Sequence, residues 1–411
     1  MTCLDTQSFN NVLILGKTWP ESSASAAGIR IQDIMRLLAP QCSQVHFASA
    51  AQRSEHSDDM GCIVCHTVQI NDDGFDTWIA ALNPDLVIFD RFMTEEQFGW
   101  RVQDHCPEAI RVLDTSDFHG LRHAREVALK TQAPVDLYNE IALREYAAIA
   151  RCDLTLLISP IERDLLIDAI HIDPDLLYWL PFIQPRPDEA AWTSFESRQH
   201  MLFVGGYKHA PNVDAVQWLK AEIWPLIRAQ LPTVECHIYG PYAPVSITQL
   251  HQPKQGFYVQ GRVDDIRLAM QSHRVNLVPL RYGAGNKGKV IDGWATGTAT
   301  AMTPVAAEGM VSDFPDDFHP SDSAVAFAEQ AVRLYQDAAY WQAAQAFGRN
   351  AIIDGTDADI HGDPFVQRLF GLKNTLSEHR HRNILGRLLS QQQYRANEFL
   401  SRWITLKNTL T

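Results

Sequence analysis

Three glycines and two lysines interleave in the run RYGAGNKGK, Arg281 to Lys289, at a spacing suited to holding a diphosphate. Gly283, Gly285 and Gly288 let the backbone approach a ligand closely. A helix opening at Gly288 would aim its free amides and the positive end of its dipole into the loop. Lys287 and Lys289 add full positive charges there, and Asp292, one helical turn on, can accept hydrogen bonds from ribose hydroxyls while staying clear of the phosphates. These residues together describe a seat for a nucleoside diphosphate.

The elements that must position this seat are legible on both sides of it. VNLVPL (Val275 to Leu280) ahead of the loop is an apolar run of the kind that forms a buried parallel strand, and TATAMT (Thr298 to Thr303) follows the helix. The first half of the chain has the same rhythm: NVLILG (Asn11 to Gly16), a helical pattern from Ala26 to Leu38, DLVIFD (Asp85 to Asp90), IRVLDT (Ile110 to Thr115) and LTLLIS (Leu154 to Ser159). A Pro-punctuated stretch from Leu180 to Trp192 reads as a linker. After it come MLFVGG, a helix from Asn212 to Gln230, ECHIYG, GFYVQG and a helix near Asp264 to His273. The pattern predicts an α/β fold of two doubly wound, Rossmann-like domains facing across a cleft, over 1–183 and 184–364, with a helical tail over 365–411. Ligands gather at the carboxyl ends of such strands, where Gly16, Gly205, Gly206, Gly240 and Gly261 fall.

Composition narrows the function. A hydrophobic content of 46% with 20% charged residues is that of a globular chain with a sizeable core. No stretch approaches the roughly 20 apolar residues of a membrane span, and the start MTCLDTQSFNN lacks the features of a secretory signal, so a cytoplasmic location is expected. The net charge of -14 argues against nucleic acid as a partner. The tail differs: from Phe365 onward it carries eight basic and two acidic residues, 8 - 2 = +6. Leu385, Leu388, Leu389, Phe399, Leu400, Trp403 and Ile404 recur in it at helical spacing. A helix packed back on the first domain is expected, with a peripheral contact to anionic lipid as the alternative. The seven cysteines read as reduced thiols, including the buried pair expected in CIVCH (Cys62 to His66), where haem attachment would need an oxidising compartment. DPD (Asp173 to Asp175) and DAD (Asp357 to Asp359) read as surface turns, not metal ligands.

With these residues in place a family resemblance can be stated. FVGGYKHAPNVDAV, GRVDDIRLAM, RYGAGNKGKVIDGWATG and TPVAAEGM, in that order, resemble segments of the nucleotide-sugar glycosyltransferases of GT-B fold, specifically the retaining group 1 (family four) type with an RYGAGxKGK loop. In the first half, VLDTSDFHGLRHAR and ARCDLTLLISPIERDLL resemble segments of bacterial members, so the resemblance spans Asn11 to Ile352.

The resemblance implies transfer of a sugar from a UDP- or GDP-sugar to an acceptor hydroxyl, with retention and with neither metal nor cofactor. Lys287, Lys289 and the backbone at Gly285 and Asn286 would hold the diphosphate, with Gly205, Gly206 and Lys208 on its other side. Gly261 and Val263 would touch the base, and Asp292 would take the place of the family's ribose-binding glutamate. His119 would act at the transferring carbon, its ring fixed by Asp117. Gly28 and Arg30 are further candidates, Arg30 as a phosphate contact or else a surface arginine of its helix. The family's sugar-contacting acid falls at Ala284, and Thr298-Ala299 replaces its usual proline. Those departures motivate a competing reading, a nucleotide-sugar-binding scaffold without turnover. A nucleotide-sugar 2-epimerase shares the fold, but its catalytic acid pattern is not seen. The acceptor, whether glycan, lipid, small molecule or protein, is left open.

Overall fold

The computed structural model describes residues 8–22, 25–391, 399–400 and 403. Of the tail, Arg395, Glu398, Arg402, Ile404 and Lys407 lie outside the described residues, as does Cys3. Two parallel sheets carry the architecture. The first comprises β1 (Phe9–Gly16), β2 (Cys42–Ser49), β3 (Val64–Thr67), β4 (Leu86–Asp90), β5 (Ile110–Asp114), β6 (Leu154–Leu157) and β7 (Leu177–Trp179), in the order β3-β2-β1-β4-β5-β6-β7. The second comprises β8 (Gln199–Val204), β9 (Cys236–Tyr239), β10 (Phe257–Gly261), β11 (His273–Val278) and β12 (Ala299–Met302), in the order β10-β9-β8-β11-β12. Central strands are apolar on both faces because helices cover both, and Val12, Leu13, Ile14 and Leu15 are fully buried.

Strand order reverses between β1 and β4 and again between β8 and β11. A crevice opens at the carboxyl ends of strands at such a reversal, so the loops after β1, β4, β8 and β11 are the ones that line it. This is the α/β arrangement expected from the sequence, with β2, β3 and β7 added. CSQVHFAS of β2 mixes polar residues among short apolar ones and carries no clear period.

The helix expected over 212–230 is interrupted: Ala210–Trp218 and Trp224–Gln230 are joined by a wider turn at Leu219–Ile223. Pro225 explains it, since proline has no N–H to donate and its ring crowds the preceding turn. The chain recrosses to the first domain through a 25-residue helix, Ala358–Arg382, capped by Asp357. It begins ahead of residue 365 and buries Phe365, Leu369, Phe370 and Leu372 against the first sheet, Phe370 stacking on Phe9 at 4.9 Å. Arg380 donates twice to Asp153, both at 2.7 Å. In the next helix, Ile384–Gln391, Ile384, Leu385 and Leu388 remain exposed.

Two sequence expectations are corrected. Cys62 is exposed and Cys65 half-buried, because CIVCH falls at the open edge strand β3, where His66 meets His46 at 3.0 Å. Asp357 is no surface turn but a buried helix cap that pairs with Arg186 at 2.8 Å. Among the described residues, no helix is long and apolar enough to cross a membrane.

Candidate functional site

The glycine loop after β11 reaches across to the first domain. Gly285 has φ 66, and a Cβ there would lie 3.0 Å from Asp117 Cβ and 3.1 Å from Ile158 Cγ2, so both conformation and contact demand glycine. A Cβ on Gly288 would meet Ala26 Cβ at 2.7 Å, which sets the start of the donor-side helix, Gly288–Ala295, against the first helix of the chain. Ala284 is buried in the apolar cluster of the first domain that includes Phe118 and Leu121. A glutamate at 284 would bury its carboxylate there, which accounts for the small residue.

Lys287 is the N-cap of that helix and is buried, with Nζ donating to the carbonyls of Ala284, at 3.1 Å, and Gly285. Burial lowers its pKa, while Glu308 and Glu162 act against that shift. Lys289 Nζ donates to Asn212 Oδ1 at 2.5 Å and lies 4.5 Å above the Phe203 ring. Burial and the charge on Lys287 bring its pKa down to about 7. Asn212 in turn donates to the Gly206 carbonyl at 2.8 Å, and a Cβ on Gly205 would press on both Asn212 and Lys289 Nζ. The turn after β8 and the start of the donor-side helix are thereby one unit. Lys208 stands apart from it, exposed, with Nζ 3.6 Å over the Tyr242 ring. Asn286 Oδ1 is buried without a hydrogen-bond partner.

Asp292 is half-buried one turn into the helix, and burial pushes its carboxyl up to about 6 despite Arg267. Gly261, at φ 76, has open space where a side chain would be, and its carbonyl accepts from the Gly240 amide at 2.8 Å. Val263, half-buried, follows two residues later.

His119 opens the helix His119–Thr131 of the first domain. Its Nδ1 lies 2.9 Å from the Asp117 carbonyl oxygen, which can only accept, so Nδ1 carries the hydrogen. Here the sequence expectation needs correction in detail. The Asp117 carboxylate is 3.7 Å from the ring and is committed to Arg122, so it is the Asp117 backbone, with buried Glu145 at 3.4 Å, that orients the imidazole. Burial opposes the charge on Asp117, but Arg122 and His119 hold its carboxyl well below the usual range. Arg30 is 2% exposed, so it is not a surface residue: Nε donates to Asp114 at 2.8 Å and Nη1 to the Leu180 carbonyl at 2.8 Å. Gly28 admits the backbone of Glu21, which a Cβ would meet at 2.7 Å. Thr298 accepts from buried Arg198 at 2.7 Å, a bond that proline could not replace.

Three residues join the two halves and were not singled out from the sequence. Glu162 Oε1 accepts from the amides of Phe118, at 3.1 Å, and Gly285, at 2.6 Å. Arg125 forms a bidentate pair with Glu308, both contacts 2.6 Å, and donates to the Gly283 carbonyl at 2.9 Å. The matching segments containing Glu162 and Glu308 were visible, but nothing local says that these acids face the opposite domain. The arrangement gathers two lysines, a helix start and backbone amides from one domain against an oriented histidine from the other. Such a set can stabilise a growing diphosphate charge.

Residues 198–337 match the family model described as glycosyl transferases group 1. Among solved structures, the chain is similar to sucrose-phosphate synthase from Thermosynechococcus elongatus, with TM-score 0.65, 14% identity, and coverage of 88% of this chain and 99% of that one. It is also similar to WaaG, a glycosyltransferase involved in lipopolysaccharide biosynthesis, with TM-score 0.63, 13% identity, and coverage of 88% and 100%. Anabaena HepE in complex with UDP and glucose gives TM-score 0.63 at 12% identity, covering 87% and 98%. No curated protein sequence matches the chain. The architecture is therefore the GT-B fold. Residues 198–337, in the second domain, carry the group 1 glycosyl transferase match.

Proposed function

We propose that the protein moves a sugar from a nucleoside-diphosphate sugar to an acceptor hydroxyl, with retention of anomeric configuration and without a metal. The observation that carries this reading is the seam itself: Gly285 of the diphosphate loop touches Asp117, two residues before His119. Lys287, Lys289 and the Gly288 helix start face the leaving diphosphate, and His119 serves the transferring carbon. Asp292 takes the ribose, Gly261 and Val263 the base, and Gly205, Gly206 and Asn286 the phosphates. Their clustering at the carboxyl ends of β8, β10 and β11 supports these roles. UDP is the first donor to test, because HepE holds UDP and glucose, with GDP second. The domain limits 1–183 and 184–364 are proposed alongside, with the tail a helical brace on the first domain. Exposed Ile384, Leu385 and Leu388 beside Arg387 support a peripheral lipid contact for its end. A non-turnover binding protein is the competing reading, since Lys287 already satisfies itself on its own loop.

The test is a thermal-shift screen against UDP, GDP and their common sugars, followed by release of nucleotide from whichever sugar raises the melting temperature. Chelator should leave that release unchanged. Binding without release would favour the non-turnover reading, and no shift with any nucleotide would remove the donor site.

A further inference from the structure

On the first-domain side of the cleft two cations stand together, with Asp90 the acid beside them. β1 and β4 run in parallel register, Leu15 opposite Phe89, so Lys17 and Arg91 leave the sheet next to one another. Asp90 organises the backbone between them: Oδ2 accepts from the Lys17 amide at 3.1 Å. Its Oδ1 is 3.6 Å from Arg91 Nε, too long for a hydrogen bond. The Lys17 side chain is partly open to solvent and, among the described residues, makes no ion pair or hydrogen bond. Partial burial, then the charge of Arg91, lower its pKa, so the two cations are close enough to repel.

The backbone at this point is also strained. Arg91 has φ 72 and ψ 156, a region nearly confined to glycine that costs another residue about 1 to 3 kcal/mol. Its amide is anchored to the Asp114 carbonyl at 2.7 Å. Strain of this kind is kept where a surrounding structure fixes a side chain for use. The next residue, Phe92, packs edge-on against His119 with ring centres 5.6 Å apart, so the pair lies beside the catalytic candidate. The charged neighbours are Arg122 and Asp117, paired with each other, Arg30 and Asp114, also paired, and Asp90. Four cations (Lys17, Arg30, Arg91, Arg122) against three acids (Asp90, Asp114, Asp117) leave a local excess of 4 - 3 = +1, in a chain whose net charge is -14.

We infer that Lys17 and Arg91 form an anion subsite for the acceptor, and that the acceptor carries a phosphate group near the hydroxyl that receives the sugar. A phosphate seated there would relieve the repulsion between the two cations and take paired hydrogen bonds from the guanidinium. The donor's own diphosphate is provided for by Lys287 and Lys289 of the other domain, which leaves the first-domain pair for the second substrate. This inference rests on the transferase reading above. The phosphate comes from either a free phosphorylated compound or a lipid headgroup.

The experiment measures inorganic phosphate binding by calorimetry with UDP saturating the donor seat, in the wild type and in the Lys17→Gln/Arg91→Gln double variant. Loss of two charged contacts should weaken binding by about tenfold or more, while the UDP-induced rise in melting temperature stays that of the wild type. Equal phosphate binding by both proteins, or none by the wild type, would overturn the subsite. Failure of UDP to bind would instead count against the donor reading, and phosphate would then be titrated alone with the same two outcomes for the subsite. Glycerol 3-phosphate competition and sedimentation with phosphatidylcholine vesicles, with and without phosphatidylglycerol, identify the source. Dependence of either on Lys17 and Arg91 supports the subsite; dependence of neither overturns it.

Discussion

Glu162 of the first domain accepts a hydrogen bond from the Gly285 amide of the second at 2.6 Å, and the same oxygen accepts from Phe118 in its own domain. One carboxylate thus fastens the tip of the glycine loop to the residue beside His119. Burial, with Asp117 nearby, pushes this carboxyl up, so the contact is held in a water-poor seam. Glu162→Ala should leave two buried amides without an acceptor, at a cost of about 1 to 3 kcal/mol each. Glu162→Gln keeps an acceptor oxygen and should lose much less. Chemical denaturation of both variants checks this, and equal stability would mean that the clamp holds nothing.

Nucleotide affinity should fall as the pH rises. Lys289 has a pKa of about 7 and that of Lys287 is also lowered, both by burial. A diphosphate between them favours their charged forms, so binding raises both values and takes up protons. Affinity is therefore greatest below about 7 and declines as pH rises through it. Calorimetry in two buffers of different ionisation heat reads the uptake directly. An affinity independent of pH, with no proton taken up, would contradict the placement of these lysines on the phosphates.

Arg125→Ala should loosen domain closure, since it removes the bidentate pair with Glu308 and the bond to Gly283. Both side chains are partly buried, which puts the pair at about 1 to 3 kcal/mol, above a fully exposed bridge. The expected outcome is a higher KM for the donor with a smaller change in kcat. Glu308→Gln should repeat it, and the double variant should cost little more than either single one. Fully additive effects would show that the two residues act separately.

Ala284→Glu places an acid at a position where the resembled family often has one, yet it should harm this protein. Position 284 is packed among Phe118 and Leu121 of the first domain, where an unpaired carboxylate costs several kcal/mol. A lower denaturation midpoint and reduced turnover are expected. A variant as stable as the wild type would place residue 284 outside that cluster.

What could be read from the sequence was what is local. Gly285, Lys287, Lys289 and the helix start at Gly288 fall within a few residues of one another, and their pattern alone describes an anion seat. Glu162 and Arg125 could not be assigned in this way, because their partners lie 123 and 183 residues away and only the closed fold brings them together. His119 and Asp117 were legible as a pair, but not which group of Asp117 meets the ring. The carboxylate of Asp117 turns to Arg122, and the backbone carbonyl takes the ring. Strands followed the same rule: β1, with its unbroken apolar run, was evident, while β2 depends on its neighbours for burial.

The most direct test of the account is cleavage of the donor sugar nucleotide by Lys287→Ala, with folding followed by melting temperature in parallel. Loss of one preorganised cation at the developing diphosphate predicts a rate at least about a hundredfold lower in a protein that still unfolds cooperatively. Cleavage at the wild-type rate by a folded Lys287→Ala protein would contradict it.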